Sequence, residues 1–442
     1  MKVGFISLGC SKNLVDTEHM MGILINEGHE IVNAPDRADA VVVNTCGFIT
    51  DAKKEAISNI LEMGMLKEQG KFRILVAAGC LAQRYPEELL QEIPELDAVV
   101  GVKDYLRLSD ILKQCEGGER PVAVGEWPDE YSHHVKRLVS TPPGWAYLKI
   151  AEGCNNRCTY CAIPGIRGPL RSRPSGELVE EARALAADGV KELILVAQDS
   201  TAYGRDLAQG ECLESLIEKL SKVDGVEWIR IMYAYPSRDP RELLNVLHKE
   251  KVVPYLDIPL QHGSDRILRL MGRRYDHQVI NSLVNALKTS IPDLVLRTTL
   301  MTGFPGETEE DHFRNIELLR QLEFDWAGVF AYSKEYGTMA SQLSPEVPAE
   351  VSLERRGQLM EIQQHITLKK NRQRVGSHAK VLIDREMTPG NYRGRTVFQA
   401  PEVDGSVLIR ADHSLKTGDF VQVILTRTYG YDLLGEVQIG AT

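Results

Sequence analysis

The chain has 442 residues, 43% of them hydrophobic and 26% charged, with a formal net charge of −10 and eight cysteines. That length predicts about three domains, and the apolar fraction excludes a disordered or fibrous chain. No uncharged apolar run reaches the roughly 18 residues of a transmembrane helix, and the start, MKVGFISLGC, lacks a signal-peptide layout. The expected compartment is therefore the cytosol, where thiols stay reduced and cysteines point to metal or catalysis before disulfides. The acidic balance argues against a nucleic-acid backbone as main partner and leaves room for a basic protein.

The first 115 residues alternate strand and helix. KVGFIS (2–7), AVVVN (40–44) and RILVAA (73–78) are short, β-branched-rich runs of the buried-strand type. Helices are predicted over 14–27 and 51–68, the second with Ala56, Ile57, Ile60, Leu61 and Met65 on its apolar face. A strand AVVG (98–101) and a helix over 105–113 complete a domain at 1–116. Such alternation means βαβ units on a parallel sheet. Residues 117–143, with GGERPV, EWPDE, SHHVKR and STPPG, read as a linker.

Residues 145–340 repeat the alternation, within a domain expected at 144–374. Strands are expected at AYLKI (146–150), ELILVAQ (192–198), WIRIMYA (228–234), PYLDIPL (254–260), LVLRTTLM (294–301) and WAGVFAY (326–332). Helices lie between them, at 176–188 after Ser175 as N-cap, and at 309–322. Six βα units suit a partial barrel, two short of the full eight. A further helix over 348–374 ends in Lys369, Lys370, Arg372 and Arg374. From 375 to 442 several short strands punctuated by Gly and Asp predict a small all-β barrel domain. Over 376–442 its net charge is −1.

The chemistry lies in the cysteines. Cys154, Cys158 and Cys161 form a C-x3-C-x2-C cluster at the end of the first barrel strand, where such folds place their active sites. A structural zinc needs a fourth ligand, for which only His133 and His134 in the linker offer themselves. An iron–sulfur cubane on three cysteines suits the pattern better, because it leaves one iron open. Cys10, Cys46 and Cys80 each follow an apolar strand by a few small or polar residues, in FISLGC, VVVNTC and LVAAGC. A parallel sheet would bring all three to one edge, outside the carboxyl ends of its strands. They read as a second three-thiolate site, against the alternative of buried structural cysteines. Cys115 and Cys212 fit neither set.

The C-x3-C-x2-C motif resembles that of the radical S-adenosylmethionine enzymes. With Cys10, Cys46 and Cys80 before it and a small β domain after it, the whole chain resembles the methylthiotransferases. The strings SLGCSKNLVDTE, NTCGFI, EGCNNRCTYCAIP, RGPLRSRP, LDIPLQH and GFPGETEED are most similar to the branch that acts on small-subunit ribosomal protein twelve. The resemblance implies an α/β fold class: an N-terminal parallel α/β sheet domain, a partial (β/α)6 radical-SAM barrel and a C-terminal TRAM-like domain. It implies a methylthiotransferase that modifies the β-carbon of an aspartate with two [4Fe-4S] clusters and S-adenosylmethionine. Cys154, Cys158 and Cys161 would hold the cluster that binds S-adenosylmethionine, and Cys10, Cys46 and Cys80 the cluster that carries the inserted sulfur.

It also implies cofactor contacts from Tyr160, Gln198, Asp199, Gly303 and Gly306. Tyr160 could equally be core packing, and Gly303 and Gly306 could equally serve a tight turn. Gln198 and Asp199 stand in AQDS, where the superfamily commonly has Gly-Glu. His262 reads as a site group or as a structural histidine. Arg157, Arg167, Arg171 and Arg173 could pair with cofactor or substrate carboxylates or form a solvated surface. The expected partners are ribosomal protein twelve and an electron donor of flavodoxin or ferredoxin type, with no membrane, and a monomer. The tRNA-directed branch of the family is the alternative. A β domain of net −1 speaks against it, since RNA binding needs clustered Lys and Arg; the basic end at 369–374 cuts the other way.

Overall fold

A computed structural model describes residues 1–127, 136–207, 210–236 and 239–438. The chain forms two compact units. One comprises Met1–Ser140, Lys149–Glu177 and Ser333–Ser341; the other comprises Thr141–Leu148, Leu178–Tyr332 and Gln342–Thr442.

The first unit is built on a six-stranded parallel sheet. Its strands are β1 (Lys2–Ser7), β2 (Glu30–Val32), β3 (Ala40–Thr45), β4 (Ile74–Gly79), β5 (Ala98–Val100) and β6 (Val122–Ala123), in the order β2-β1-β3-β4-β5-β6. Every residue of β3 and β4 is buried. Their side chains alternate between two cores, as the strand period requires. Ala40, Val42, Val76 and Ala78 pack with Met20, Leu24, Leu108 and Ile111. Val41, Val43, Leu75 and Ala77 pack with Ala56, Ile60, Met63 and Leu81. Helix α1 (Ser11–Asn26) starts directly after Cys10, and α2 (Thr50–Glu68) and α3 (Cys80–Arg84) follow β3 and β4.

Two expectations change here. The buried face of α2 is Ala56, Ile60, Met63 and Gly64, whereas Ile57, Leu61 and Met65 are exposed. The apolar residues of α2 cover more than one stripe, and the sheet takes the neighbouring one. The stretch 117–143 contains β6, which pairs in parallel with β5. A strand of two residues is too short to show a period in sequence.

The second unit carries the strands β7 (Trp145–Lys149), β10 (Glu192–Val196), β11 (Trp228–Ile231), β12 (Val252–Asp257), β13 (Val295–Thr302) and β14 (Trp326–Ala331). They form one six-stranded sheet in the order β14-β13-β12-β11-β10-β7. This is the expected partial barrel with each strand beside its sequence neighbour. Between β7 and β10 in sequence, the pair β8 (Ala151–Glu152) and β9 (Arg171–Ser172), which belongs to the first unit, forms a separate two-stranded ribbon. Five further strands close a barrel in the order β15-β16-β17-β19-β18: β15 (His378–Thr388), β16 (Asn391–Arg395), β17 (Val407–Arg410), β18 (Phe420–Tyr429) and β19 (Asp432–Val437). The helix Glu309–Leu322 starts on a capping box between Thr308 and Asp311. Among the described residues no helix is long and apolar enough to cross a membrane.

Within the second unit the small barrel is joined to the sheet by buried ions. Glu192 of β10 binds Arg230 at 2.7 Å and Arg395 of β16 at 2.8 Å, all three buried. Arg395 also reaches Asp384 at 2.9 Å. Asp404 accepts from the Tyr255 hydroxyl at 2.6 Å and from Arg297 at 3.3 Å. Trp326 Nε1 donates to the Phe398 carbonyl at 2.8 Å. Removing one partner from such a network leaves uncompensated buried charge, a loss of roughly 3–5 kcal/mol. Glu192→Ala is therefore expected to lower stability by about that amount. Chemical denaturation would show it as a lower midpoint, and limited proteolysis as earlier cleavage around 375.

Candidate iron–sulfur sites in the first unit

The sheet register explains why three distant cysteines meet. Ser7 of β1 pairs with Asn44 of β3, and Asn44 with Ala78 of β4. The carboxyl ends of the three strands are thus level, and Cys10, Cys46 and Cys80 follow within a few residues. Cys10 is exposed, Cys46 half-buried and Cys80 buried.

The turns after β1 and β4 are as tight as their glycines allow. Gly9 has φ +90°, and a Cβ on it would lie 2.7 Å from Cys46 Cβ. Gly79 has φ +92°, and its Cβ would lie 2.7 Å from the Thr45 carbonyl oxygen. Both the positive φ and the close approach demand glycine.

Asn13 of α1 ties these ends together. Its Nδ2 donates to the carbonyls of Leu8 at 3.0 Å and Thr45 at 2.9 Å. Its Oδ1 accepts from the Cys80 thiol at 3.4 Å and from Arg167. Asn44 returns the bond, donating to the Asn13 carbonyl and to Thr17 Oγ1, each at 2.8 Å.

Arg167 comes from the other cysteine segment. Its guanidinium donates to Glu152 at 2.7 Å and to Asp16 at 3.0 Å. Lys149 binds Glu152 at 2.9 Å and also Asp16. All four side chains are almost wholly buried. Burial works against charge on Lys149, and Asp16 and Glu152 more than offset it. Burial would raise the pKa of Glu152, but Arg167 and Lys149 hold it below the usual carboxylate range. Two cations and two anions thus compensate one another out of water, as buried charge requires.

Cys154, Cys158 and Cys161 lie on the loop between β8 and the short helix Ile163–Arg167. All three are half-buried. The Cys154 amide donates to the Gly168 carbonyl at 3.1 Å, and the Cys161 amide to the Cys158 carbonyl at 3.1 Å. The segment Ser333–Ser341 closes on the same unit. Its buried Glu335 binds Lys53 and Arg84, each at 2.8 Å, and its Ala340 amide donates to the Thr159 carbonyl at 2.8 Å.

The thiols of the first set differ in acidity. Crowding works against a thiolate at Cys10, but the charges of Lys12 and Arg167 and the amides of Asn13 and Lys12 outweigh it, so its pKa is lowered. Burial pushes Cys46 up and Cys80 up to about 12, against the pull of Arg167. Among the described residues no three His, Cys, Asp or Glu side chains converge closely enough to hold a single metal ion. A cubane asks something else: each thiolate binds a different iron, so the three stand apart around it. Three thiols at one sheet edge, beside an arginine that faces them, are a donor set of that kind.

The remaining expected residues are placed as follows. Tyr160 is half-buried on the cysteine loop of the first unit. In the second unit Asp199 is buried and caps the turn Ser200–Ala202, accepting from the Thr201 amide at 3.1 Å and hydroxyl at 2.6 Å. Gln198 precedes it at the end of β10. Gly303 and Gly306 both have positive φ, and Glu307 accepts from the amides of Gly303 and Phe304. The tight-turn reading of these glycines is thus a structural fact, whatever else they contact. His262 is fully buried; its Nδ1 accepts from the Ser264 amide at 2.9 Å, and Asn315 lies 3.0 Å from its Nε2.

Arg157 is exposed, while Arg167, Arg171 and Arg173 are buried. Arg167 pairs with the protein's own Asp16 and Glu152, and Arg171 stacks 4.9 Å from Trp127. The arginines are therefore not one solvated cluster. Cys115 packs at the base of the first sheet with Asp97, and Cys212 caps the helix Leu213–Leu220. His133 and His134 lie outside the described residues. Sequence reasoning missed Asn13, Asp16, Lys149 and Glu152. The available signal was the spacing of Asn13 and Asp16, which share a helix face three residues apart.

Residues 148–319 match the family model of the Radical SAM superfamily, 375–437 that of the TRAM domain, and 2–101 that of Uncharacterized protein family UPF0004. The fold is similar to TsrM from Kitasatospora setae, a radical S-adenosylmethionine methyltransferase, with a TM-score of 0.56 at 13% identity over 89% of this chain and 80% of that one. The cobalamin-dependent radical enzyme OxsB gives 0.53 at 13% identity over 83% and 56%. At such identity these two show the fold alone. In sequence, the Ribosomal protein uS12 methylthiotransferase RimO of Syntrophomonas wolfei is 49% identical over 439 residues, 99% of this chain and all of that one. That of Thermoanaerobacter sp. is 45% identical over 435 residues, 98% of this chain and 99% of the other. The chain belongs to the RimO family of uS12 methylthiotransferases.

The thiolate is the form that reacts with alkylating reagents. In metal-free protein, iodoacetamide is therefore expected to label Cys10 first as pH rises. Cys46 should follow, and Cys80 should need the most alkaline conditions. Peptide mass spectrometry along a pH series measures the order.

Proposed function

We propose that this chain inserts a methylthio group at the β-carbon of an aspartate in small-subunit ribosomal protein twelve. The observation that carries this reading is likeness to uS12 methylthiotransferases over nearly the whole chain. Six cysteines in two sets of three, all within one compact unit, support it. The enzyme uses two [4Fe-4S] clusters and S-adenosylmethionine, the latter as radical source and as methyl donor. These groups supply one-electron chemistry and a sulfur store, which the reaction needs because an unactivated C–H bond offers no acidic proton to a general base.

This chain's residues bind and orient. Cys154, Cys158 and Cys161 are assigned to the cluster that engages S-adenosylmethionine, and Cys10, Cys46 and Cys80 to the cluster that carries sulfur. Tyr160, Gln198, Asp199, Gly303 and Gly306 are assigned to the cofactor. Residues 1–116, 144–374 and 375–442 are taken as the methylthiotransferase, radical and TRAM-like domains, with 117–143 as a connection whose β6 extends the first sheet. The setting is the cytoplasm, the enzyme a monomer, and the reductant a flavodoxin or ferredoxin.

Charge supports a protein substrate over tRNA. At the basic end of the long helix, Lys369 binds Glu323, and Lys370 and Arg374 bind Asp325. Arg395 and Lys380 of the β domain are paired with Glu192, Asp384 and Glu227. Lys370, Arg374 and Arg395 are largely buried in these pairs, and Lys369 and Lys380 are paired at the surface, whereas an RNA grip would present its cations to phosphates. A basic ribosomal protein suits the remaining acidic surface.

In a deletion strain, ribosomal protein twelve should lose the mass of its methylthio group while tRNA keeps its methylthio-adenosine. Mass spectrometry of both decides; an unchanged protein with altered tRNA would refute the assignment. Replacing Cys154, Cys158 and Cys161 together by Ala should abolish 5′-deoxyadenosine formation in an anaerobic assay.

A further inference from the structure

Arg167 stands between the two cysteine sets. It lies six residues after Cys161 in sequence, yet its guanidinium sits beside the Cys80 thiol, and its charge draws that thiol's pKa down. It shares the acceptor Asn13 Oδ1 with that thiol, which lies 3.4 Å from the oxygen. Its charge also acts on Cys10 and Cys46. It is 1% exposed, so water does not screen it. The bonds to Asp16 and Glu152 hold it in one orientation, at 3.0 Å and 2.7 Å.

We propose that Arg167 is a positioning residue that sets the reduction potential of the cluster at Cys10, Cys46 and Cys80. The proposal rests on the assignment of those cysteines as cluster ligands. Reduction adds one electron, and so one negative charge, to a cluster already bound by three thiolates. A buried cation beside a ligand sulfur stabilises the reduced state more than the oxidised one, and the charge near a cluster sets such potentials. Arg167 therefore holds this cluster at a higher potential than its thiolates alone would give. Because Arg167 also ends the helix that follows the second cysteine set, displacement of that helix would be felt at the first cluster.

The test uses full-length protein carrying Cys154→Ala, Cys158→Ala and Cys161→Ala, loaded anaerobically with iron and sulfide. This parent should hold about four irons per chain. The readout is the midpoint potential, from a dithionite titration followed by electron paramagnetic resonance. Arg167→Gln removes the cation, and the pair Asp16→Asn with Arg167→Gln removes one charge of each sign, so buried charge stays balanced. Arg167→Lys keeps the charge and loses the fork. With iron retained, the charge-balanced pair should shift the reduction equilibrium about tenfold toward the oxidised form, about 59 mV for one electron. Arg167→Lys should shift it less. An unchanged potential in the charge-balanced variant with iron retained would overturn the proposal. So would loss of iron from both that variant and Arg167→Lys, which would make the role structural. A parent that takes up no iron would instead overturn the assignment of Cys10, Cys46 and Cys80.

Discussion

The first unit depends on a buried pairing of two cations with two anions. Lys149 and Arg167 come from one stretch of chain, with Glu152 between them; Asp16 comes from α1, more than a hundred residues earlier. None of the four could be buried alone, because an unpaired ion out of water costs several kcal/mol. Their mutual compensation fixes how α1 meets the 149–167 segment. That constraint has a chemical consequence. α1 begins one residue after Cys10, and the 149–167 segment carries Cys154, Cys158 and Cys161. The ion pairing that makes burial tolerable also sets the cysteine-bearing elements against each other.

The first cysteine set is held by different physics. Backbone register levels the ends of β1, β3 and β4, and Asn13 and Asn44 lock those ends through side-chain to main-chain bonds. Glycine at Gly9 and Gly79 then lets each chain turn before a side chain could block it. The strand runs are buried because both faces are covered by helices, so the edge they share is as rigid as the sheet. Here the polar residues of SLGCSKNLVDTE do what the apolar ones cannot: they satisfy strand-end carbonyls at the one edge where the sheet ladder stops.

Much of this was legible in the sequence because it is local or periodic. The runs AVVVN and RILVAA announced buried parallel strands, and the repeated strand-then-cysteine spacing announced a common edge. Long-range polar pairing was not legible. Arg167 read as one of four arginines facing either cofactor and substrate carboxylates or solvent, and only the fold reveals that its partners are Asp16 and Glu152. The face of α2 was drawn too wide: Ala56 and Ile60 are buried as expected, but Ile57, Leu61 and Met65, which also repeat every fourth position, are exposed. A period cannot say which of two adjacent apolar stripes a sheet will cover. The edge strands β2 and β6, three and two residues long, carry too little pattern to be seen at all.

The two cysteine sets therefore differ in how far the protein pre-forms them. Cys10, Cys46 and Cys80 hang from strand ends that exist once the sheet has folded. Their geometry is settled by core burial before any iron arrives. Loading must still remove their protons, and that is hardest at Cys80, whose burial raises its pKa to about 12. Arg167 is the group placed to ease that loss. Cys154, Cys158 and Cys161 lie on a loop outside helix and strand, tied at the Cys154 amide to Gly168 and at Ala340 to Thr159. A loop of that kind has little core of its own, so bound iron would contribute more of its order. The sheet edge is a site the fold makes, and the loop is one that its ligand helps to complete.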